Sequence, residues 1–195
     1  MGDLGLSRPS PAPDPHEPAA PVDAPLVAAA RRGDRAAFGA LYRRHARLVQ
    51  AVLLSRVAPD SVADLVHDVF LQAMNRLQAL RDDSAFAPWI ATIARRRAAD
   101  WRRRRRDTVP LEEAMPEAAA TEADPEGAFD AKAAVAAIRS LPEAYRETLM
   151  LRFVAGLNGP EIAARTGLTH GSVRVNLHRG VEMLRRKLSE GTGHA

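Results

Sequence analysis

The sequence of 195 residues contains no cysteine, only two lysines and no apolar run long enough to cross a membrane. Without cysteine the chain can form neither a disulfide nor a thiolate metal site, which suits the reducing cytoplasm. The first residues lack the apolar core of a secretory signal peptide, so we expect a cytoplasmic protein that inserts into no membrane. No segment alternates apolar and polar residues with the period of a strand, and we therefore predict an all-α fold.

Charge is distributed unevenly along the chain. The net charge is +4, but residues 26–107 carry +9 and residues 131–195 carry +5, whereas residues 108–130 contain seven acidic residues and no basic one. Nearly all the positive charge is arginine, which makes bidentate contacts with phosphate and guanine; codon bias in a GC-rich genome is another source of arginine. Two basic blocks that flank an acidic connector are typical of a two-part binder of polyanions.

Composition and periodicity divide the chain into five segments. Residues 1–24 are rich in proline and alanine and are expected to be a disordered tail. Residues 25–107 predict one helical domain and residues 131–190 a second one, followed by a tail at 191–195. The acidic residues 108–130, interrupted by prolines, predict a flexible linker between the two domains.

Apolar residues at helical spacing predict three helices in the first domain. Asp34 is suited to cap the first helix, Ser61 to open the second, and Asp82-Asp83-Ser84 to interrupt the chain before the third. The residues expected inside are Phe38, Leu41, Tyr42, His45, Leu48, Val49 and Val52 in the first helix, Val62, Leu65, Val66, Val69, Phe70, Ala73, Met74 and Leu77 in the second, and Phe86, Trp89, Ile90, Ile93 and Ala94 in the third.

Residues 157–188 predict a helix-turn-helix. Asn158 and Glu161 have the spacing of a capping box at the start of the first helix. Gly167 can adopt the positive φ of the turn, and Thr169 can cap the second helix. The buried stripe of that second helix is expected to be Val173, Leu177, Val181, Leu184 and Leu188.

The other face of the second helix carries short, polar and basic side chains, which suit contacts with base edges and phosphates. Arg174 and Arg179 can each bind guanine in a bidentate manner; we expect one to read bases and the other to anchor phosphate, and the sequence leaves open which. An ordinary helical hairpin with a solvated basic face is the alternative. The DNA-binding candidates are Thr169, His170, Ser172, Arg174, Val175, His178 and Arg179.

Three segments together resemble the extracytoplasmic-function sigma factors, the group 4 members of the sigma-70 family that serve bacterial RNA polymerase. LPEAYRETLMLRFVAGLNGPEIAARTGLTHGSVRVNLHRGVEMLRRKL at 141–188 resembles their region 4. DLVHDVFLQAMNRL at 64–77 resembles region 2.2, and FAPWIATIARRRAADWRRRRR at 86–106 resembles regions 2.3 and 2.4. The order and spacing of the segments also match the family.

The resemblance implies a transcription initiation factor with two helical domains. Such a protein binds core RNA polymerase and directs it to promoter DNA. Region 2 recognises and melts the minus ten element, and region 4 reads the minus thirty-five element. The implied docking sites are a coiled coil of the largest polymerase subunit and the polymerase flap, and an anti-sigma factor is a further candidate partner. The acidic linker is expected to occupy a basic channel of the polymerase until RNA displaces it.

The second helix of the first domain carries the candidate core-polymerase-binding residues. The spacing of Asp64, His67 and Asp68 could also indicate a metal site, and a solvated helical face is the simplest alternative. The family usually has glutamine at the position of His67, so this contact is expected to differ in detail. The candidate residues for core binding are Asp64, His67, Asp68 and Gln72.

The third helix of the first domain carries the second set of DNA-binding candidates. Trp101 can stack on an unpaired base or pack in the core, and both roles are open. The family commonly has asparagine at the position of Arg96, which cannot replace amide hydrogen bonds to a flipped base. The region 2 candidates are Arg95, Arg96, Arg97, Trp101, Arg102 and Arg103.

Two other classes of protein fit parts of the pattern. One is a two-domain helix-turn-helix regulator that acts without core polymerase, which would need a ligand pocket or a dimerising helix. The other is a recombinase-like enzyme, which would need a catalytic serine, tyrosine or carboxylate cluster in the first domain. Tyr42 lies on an apolar stripe, and we recognise no glycine-rich phosphate loop. We therefore predict no enzymatic activity, no cofactor and no metal.

Overall fold

The computed structural model describes residues 23–108 and 131–192, and within these two ranges the chain forms eight α-helices and no strand. The all-α prediction is confirmed. The predicted N-terminal tail lies outside the described residues up to residue 22, but its last two residues, 23 and 24, belong to the first helix, so the predicted boundary at 24 was two residues too late. The predicted linker lies outside the described residues from residue 109 onward. The helices are α1 (Asp23–Arg31), α2 (Arg35–Leu54), α3 (Val62–Arg76), α4 (Phe86–Thr108), α5 (Ala131–Arg139), α6 (Glu143–Phe153), α7 (Gly159–Thr166) and α8 (His170–Thr192).

Helices α1 to α4 pack together as a bundle in the N-terminal half. The predicted start of α2 is confirmed, because the Asp34 carboxylate accepts hydrogen bonds from the backbone N–H groups of Ala36 at 2.8 Å and Ala37 at 3.1 Å. The predicted start of α3 is also confirmed, but the Ser61 hydroxyl makes no capping bond. Ser61 already has helical backbone angles at the end of a 3-10 turn, so its side chain is not placed as that of an N-cap residue.

The core of the N-terminal half follows the predicted stripes with two exceptions on facing helices. Met74 of α3 is 49% exposed and Tyr42 of α2 is 38% exposed, although both were predicted to lie inside. Tyr42 packs beside Phe70 with ring centroids 4.4 Å apart and ring planes tilted by 46°, so Phe70 covers only part of its surface. The apolar stripe predicted for α3 is broader than the part of α3 that α2 and α4 cover. Met74 lies at the edge of this stripe, beyond the covered part.

The C-terminal half contains the predicted helix-turn-helix. Its capping box is complete, since the Glu161 backbone N–H donates to Asn158 Oδ1 at 2.9 Å and the Asn158 N–H donates to Glu161 Oε2 at 2.8 Å. Gly167 adopts a φ of +76°, the left-handed conformation that allows the chain to leave α7 and enter α8. Ile162 and Ala163 of α7 are buried against the neighbouring helices.

The two halves also pack against each other. Helix α6 contacts α2, α7 contacts α4, and the buried apolar residues form one cluster that continues from the first half into the second. The sequence predicted two domains that the linker joins and gave no sign of this contact. Among the described residues no helix combines the length and the apolarity that crossing a bilayer requires.

Candidate nucleic-acid and polymerase interfaces

Thr169 caps the N-terminus of α8 as predicted, and this end of the helix is exposed to solvent. Thr169 Oγ1 accepts a hydrogen bond from the Ser172 backbone N–H at 3.1 Å and lies 2.9 Å from the Ser172 hydroxyl. The first residue of the helix, His170, is exposed. This end of α8 therefore presents short polar side chains together with the positive end of the helix dipole.

The seven side chains predicted to bind DNA in this half lie together on that end and on the exposed face of α8. Arg174, Val175 and Arg179 are exposed, whereas Val173, which precedes Arg174, is 1% exposed and belongs to the core. Within residues 23–108 and 131–192, neither of these two arginines forms an ion pair, so both guanidinium groups are available to a ligand. His178 Nε2 lies 3.8 Å from Glu182 Oε2 on the same face.

Helix α8 is seated on α6 by a close approach that the sequence analysis did not identify. A Cβ atom added at Gly180 would lie 2.9 Å from Leu149 Cδ1, and Leu149 is fully buried. The Asn176 side-chain amide donates to the Ala144 carbonyl at 3.3 Å. A glycine in the middle of an amphipathic helix was the available signal, because it costs helix stability unless packing requires it.

The arginines of α4 occupy different environments, although the sequence grouped them. Arg96 and Arg103 are exposed, and Arg103 Nη2 lies 2.5 Å from Asp100 Oδ1. Trp101 is partly buried and packs against the core, with the Arg105 guanidinium 5.3 Å from the centroid of its ring. Packing of Trp101 is thus observed, and the cation covers part of the ring.

Two of the predicted DNA-binding arginines face the C-terminal half. Arg95 Nε donates to Glu147 Oε1 at 2.8 Å, and its Nη2 donates to the Arg165 carbonyl at 2.7 Å. Arg102 Nη1 lies 3.5 Å from Glu143 Oε1. In this arrangement the two side chains connect the halves of the protein.

Two further arginines, which the sequence analysis did not single out, complete the contact between the halves. Arg56 Nη2, just after α2, lies 2.5 Å from Glu147 Oε2. Arg139 Nη1 donates to the Leu54 carbonyl at 2.8 Å and also to the carbonyl of Val57. Burial, with a smaller contribution from the charge of Arg146, lowers the pKa of Arg139 from its ordinary value.

The four candidate residues for core binding lie on α3, but they do not form a uniform surface. Asp64 and His67 are exposed, and Gln72 is partly exposed. The Asp68 carboxylate is paired with Arg97, whose Nη2 lies 2.5 Å away. Arg97 is a predicted DNA-binding residue and Asp68 a predicted core-polymerase-binding residue. This ion pair therefore links the two predicted sites.

Two concave surfaces flank these α3 residues. A cleft of about 280 Å³ lies between α3 and α4, and its walls include Asp64, Asp68, Arg97 and Trp101. On the other side of α3, His67 borders a shallow apolar groove. The other residues of that groove are Phe38, Tyr42, Phe70, Leu71 and Met74. In the part of the chain that the structure describes, no group of three or more histidine, aspartate or glutamate side chains could hold a metal ion.

Family models match both halves of the chain. The model described as Sigma-70 region 2 matches residues 41–108, and the model described as Sigma-70, region 4 matches residues 131–184. The region 2 match thus covers most of α2 and all of α3 and α4. Region 4 covers α5 to α7 and most of α8, including its entire predicted DNA-binding face.

Individual proteins are similar over nearly the whole of their length. The RNA polymerase sigma factor CarQ of Myxococcus xanthus is 32% identical over 163 residues, which is 82% of this chain and 94% of CarQ. The ECF RNA polymerase sigma-E factor of Escherichia coli K12 is 32% identical over 181 residues, which is 86% of this chain and 94% of that protein.

The solved structures give the same result for the fold. CnrH, solved in complex with the cytosolic domain of CnrY, superposes with a TM-score of 0.62 at 29% identity and covers 86% of this chain and 97% of its own. The sigma factor RpoE of Bartonella quintana, solved with the anti-sigma factor NepR, gives a TM-score of 0.58 at 23% identity, with 74% and 91% covered.

Proposed function

Because the chain belongs to the sigma-70 family as an extracytoplasmic-function RNA polymerase sigma factor, we propose that three of its surfaces divide the work of transcription initiation. The protein binds core polymerase and directs initiation at specific promoters, with region 2 acting on the minus ten element and region 4 on the minus thirty-five element. The three surfaces are the exposed face of α8, the arginine-rich part of α4 and the outer face of α3. No catalytic role is assigned to any residue.

The exposed face of α8 enters the major groove at the minus thirty-five element. The observation that carries this proposal is the grouping of seven polar, basic or small side chains at one end of α8, with Arg174 and Arg179 both exposed. A helix N-terminus with arginines along its outer face is the arrangement by which helix-turn-helix proteins contact bases and phosphates. Val175, which is exposed between the arginines, suits contact with a thymine methyl group.

The exposed arginines of α4 hold the minus ten element. Arg96 and Arg103 contact phosphates, and Arg97 and Trp101 border the cleft beside α3 that could receive an unpaired base. Since Arg96 replaces the asparagine common in the family, base preference at this position is expected to differ from that of the family.

The outer face of α3 docks on the largest polymerase subunit. Asp64 and His67 supply polar contacts, and the apolar groove beside them supplies exposed Tyr42, Leu71 and Met74 as the apolar part of the interface. The sigma factor acts in the bacterial cytoplasm, where the polymerase is. CnrH was solved with the cytosolic domain of CnrY, and the sigma factor RpoE with the anti-sigma factor NepR; we propose an anti-sigma factor as a partner of this chain too.

Run-off transcription with purified core polymerase and a promoter library tests the role of α8. Arg174→Ala and Arg179→Ala should each weaken promoter binding. If the lost contact is to a base, the cost is roughly 1–3 kcal/mol, and preference relaxes at one upstream position. If it is to a phosphate, binding to all sequences weakens alike and the salt slope falls by about one. If neither variant changes affinity, preference or salt slope, α8 does not lie in the groove.

Binding of core polymerase to labelled sigma factor tests the role of α3. Asp64→Arg should weaken core binding while far-UV circular dichroism stays unchanged, because Asp64 is exposed and supports no buried contact. Ser189→Arg, exposed near the end of α8, is the control for added positive charge and should bind core like the parent. Equal binding by Asp64→Arg, Ser189→Arg and the parent would refute docking through this face.

A further inference from the structure

The contact between the two halves centres on one carboxylate of region 4 that is held by two arginines of region 2. Glu147 of α6 places Oε2 at 2.5 Å from Arg56 Nη2 and Oε1 at 2.7 Å from Arg95 Nη2. The Glu147 side chain is 15% exposed, so the site is largely shielded from solvent. Arg56 follows α2 and Arg95 lies in α4, so neighbouring elements of region 2 place two guanidinium groups around one anion.

Two guanidinium groups that converge on one anionic group form a site that a phosphate also fits. Arginine binds carboxylate and phosphate with the same planar set of donors. Arg95 lies in the segment that resembles the promoter-binding helix of the family, and Arg96 and Arg97 follow it toward the DNA-binding part of α4. The Glu147 carboxylate thus occupies a position that a backbone phosphate of promoter DNA could take.

The packed arrangement cannot persist on a promoter. The positions that name the minus ten and minus thirty-five elements differ by about 25 base pairs, and at about 3.4 Å per base pair this is roughly 85 Å of duplex. Helix α8, the longest helix of region 4, is about 35 Å long at the α-helical rise of 1.5 Å per residue. Because α6 touches α2 and α7 touches α4, regions 2 and 4 must separate before each reaches its element, and Glu147 then leaves Arg56 and Arg95.

Not all described hydrogen-bond donors at this contact have a partner while the halves are packed together. The Nε atoms of Arg56 and Arg165 are buried, and within the described residues neither has a hydrogen-bond partner. A buried donor without a partner destabilises the state that contains it. Arg56 and Arg165 both lie at the contact between the halves, so within the described residues the hydrogen bonds of this contact are incomplete.

We propose that Arg56 and Arg95 form a DNA-phosphate-binding site of region 2, and that Glu147 of region 4 occupies this site while the two halves are packed together. This inference rests on the proposed function, because it requires region 2 to face promoter DNA. It adds Arg56 to the DNA-binding residues. It also makes the packed state and the DNA-bound state mutually exclusive, so that Glu147 lowers the affinity of the protein without polymerase for DNA.

The test compares two variants that break the same contact from opposite sides. Glu147→Gln leaves both arginines in place, whereas Arg56→Gln removes one of them. The probe is a mixed-sequence duplex DNA, and the full-length chain is titrated without polymerase, by fluorescence anisotropy over a series of salt concentrations. Glu147→Gln should raise affinity roughly three- to tenfold, since the binding-competent fraction increases. Arg56→Gln should not gain affinity, and its salt slope should be lower than that of Glu147→Gln by about one.

A distance measurement reports whether the halves separate. The chain has no natural cysteine, so dyes can be attached to Gln50→Cys and Ser189→Cys, at exposed positions of α2 and α8. Both Glu147→Gln and Arg56→Gln should shift the dyes to longer distances. Glu143→Gln is the matched control, because it removes the same charge from the same helix. Its carboxylate is 62% exposed and makes longer, solvent-exposed contacts, at 3.5 Å from Arg102 and 3.9 Å from Arg56, which contribute little to holding the halves together. It should change DNA affinity about twofold or less.

Three results would overturn the proposal. The first is a Glu147→Gln variant that separates without gaining DNA affinity. The second is an equal gain in Glu147→Gln and Glu143→Gln, which would show an effect of net charge alone. The third is an equal gain in Glu147→Gln and Arg56→Gln, which would show that the contact only restrains the halves. Run-off transcription by the parent with core polymerase reports on the proposed function separately, since its failure would leave these DNA affinities unaffected.

Discussion

Gly180→Ala should destabilise the protein, although alanine is normally the better residue inside a helix. Gly180 lies in α8 where this helix crosses α6, and an added Cβ would lie 2.9 Å from Leu149 Cδ1 and 3.1 Å from Leu149 Cγ. Carbon atoms at optimal separation are about 3.5–4.0 Å apart. Leu149 is fully buried and cannot turn away without displacing its neighbours, so α8 must move outward from α6.

Two opposing effects determine the size of this change. Replacing glycine by alanine in a helix interior stabilises it by roughly 0.8–1.0 kcal/mol. Inserting a methyl group into a well-packed core costs roughly 1–3 kcal/mol. Gly180→Ala should therefore lower the free energy of unfolding by up to about 2 kcal/mol. Gly171 lies on the exposed face of the same helix, with only Thr169 Oγ1 at 3.9 Å, and Gly171→Ala should be neutral or stabilise the protein by up to about 1 kcal/mol.

Urea unfolding of the two variants, followed by far-UV circular dichroism, measures the difference. A slope of about 1–3 kcal/mol per molar urea converts 1 kcal/mol into a midpoint shift of roughly 0.3–1 M. Gly180→Ala should unfold at lower urea than the parent, and Gly171→Ala at the same or higher urea. An outward movement of α8 should also alter minus thirty-five preference. If Gly180→Ala proves as stable as Gly171→Ala, the close approach of α6 and α8 does not govern packing here.

Two further predictions concern hydrogen-bonded groups at helix starts. Asn158→Ala removes one side of the capping box and should cost roughly 1 kcal/mol in urea unfolding; no loss would mean that the box contributes nothing. Burial raises the pKa of Asp23, but hydrogen bonds and charges from His45 and Arg44 outweigh it and lower the pKa below its ordinary 3.8. This stabilisation is present above pH 3.8 and disappears as the pH falls through the lower pKa of the folded state. Asp23→Asn should therefore be less stable than the parent at neutral pH, by roughly 0.5–1.5 kcal/mol, and the two stabilities should converge in acid. A constant difference at all pH values would contradict this reasoning.

The features that sequence predicted correctly depend on neighbours along the chain. The capping box of Asn158 and Glu161 joins residues three positions apart, and the turn at Gly167 depends on one residue that accepts a positive φ. The buried stripe of α8 follows from helical spacing alone. For these elements the local pattern and the final structure agree, because the chemistry that fixes them is local.

The features that sequence did not predict depend on residues far apart in the chain. Arg95 and Glu147 are separated by 52 positions, and no local pattern of α4 or α6 indicates that they meet. The exposure of Met74 depends on how much of α3 its neighbouring helices cover. The grouping of Arg95 with Arg96 and Arg103 followed from composition, whereas burial distinguishes them in the structure. The functional assignments of the individual candidate residues stay predictions.

Several hydrogen bonds between the halves run from an arginine side chain to a backbone carbonyl, so they depend on the identity of the arginine and hardly on that of the accepting residue. Arg139 donates to the carbonyls of Leu54 and Val57, and Arg95 donates to that of Arg165. A backbone acceptor remains whatever side chain occupies its position, so substitutions at the accepting positions leave these bonds possible. During sequence divergence, the donor positions therefore determine whether these bonds persist. The ion pairs of Glu147 with Arg56 and Arg95, and of Glu143 with Arg102, instead join two side chains, and at these positions compensating changes would be visible across relatives.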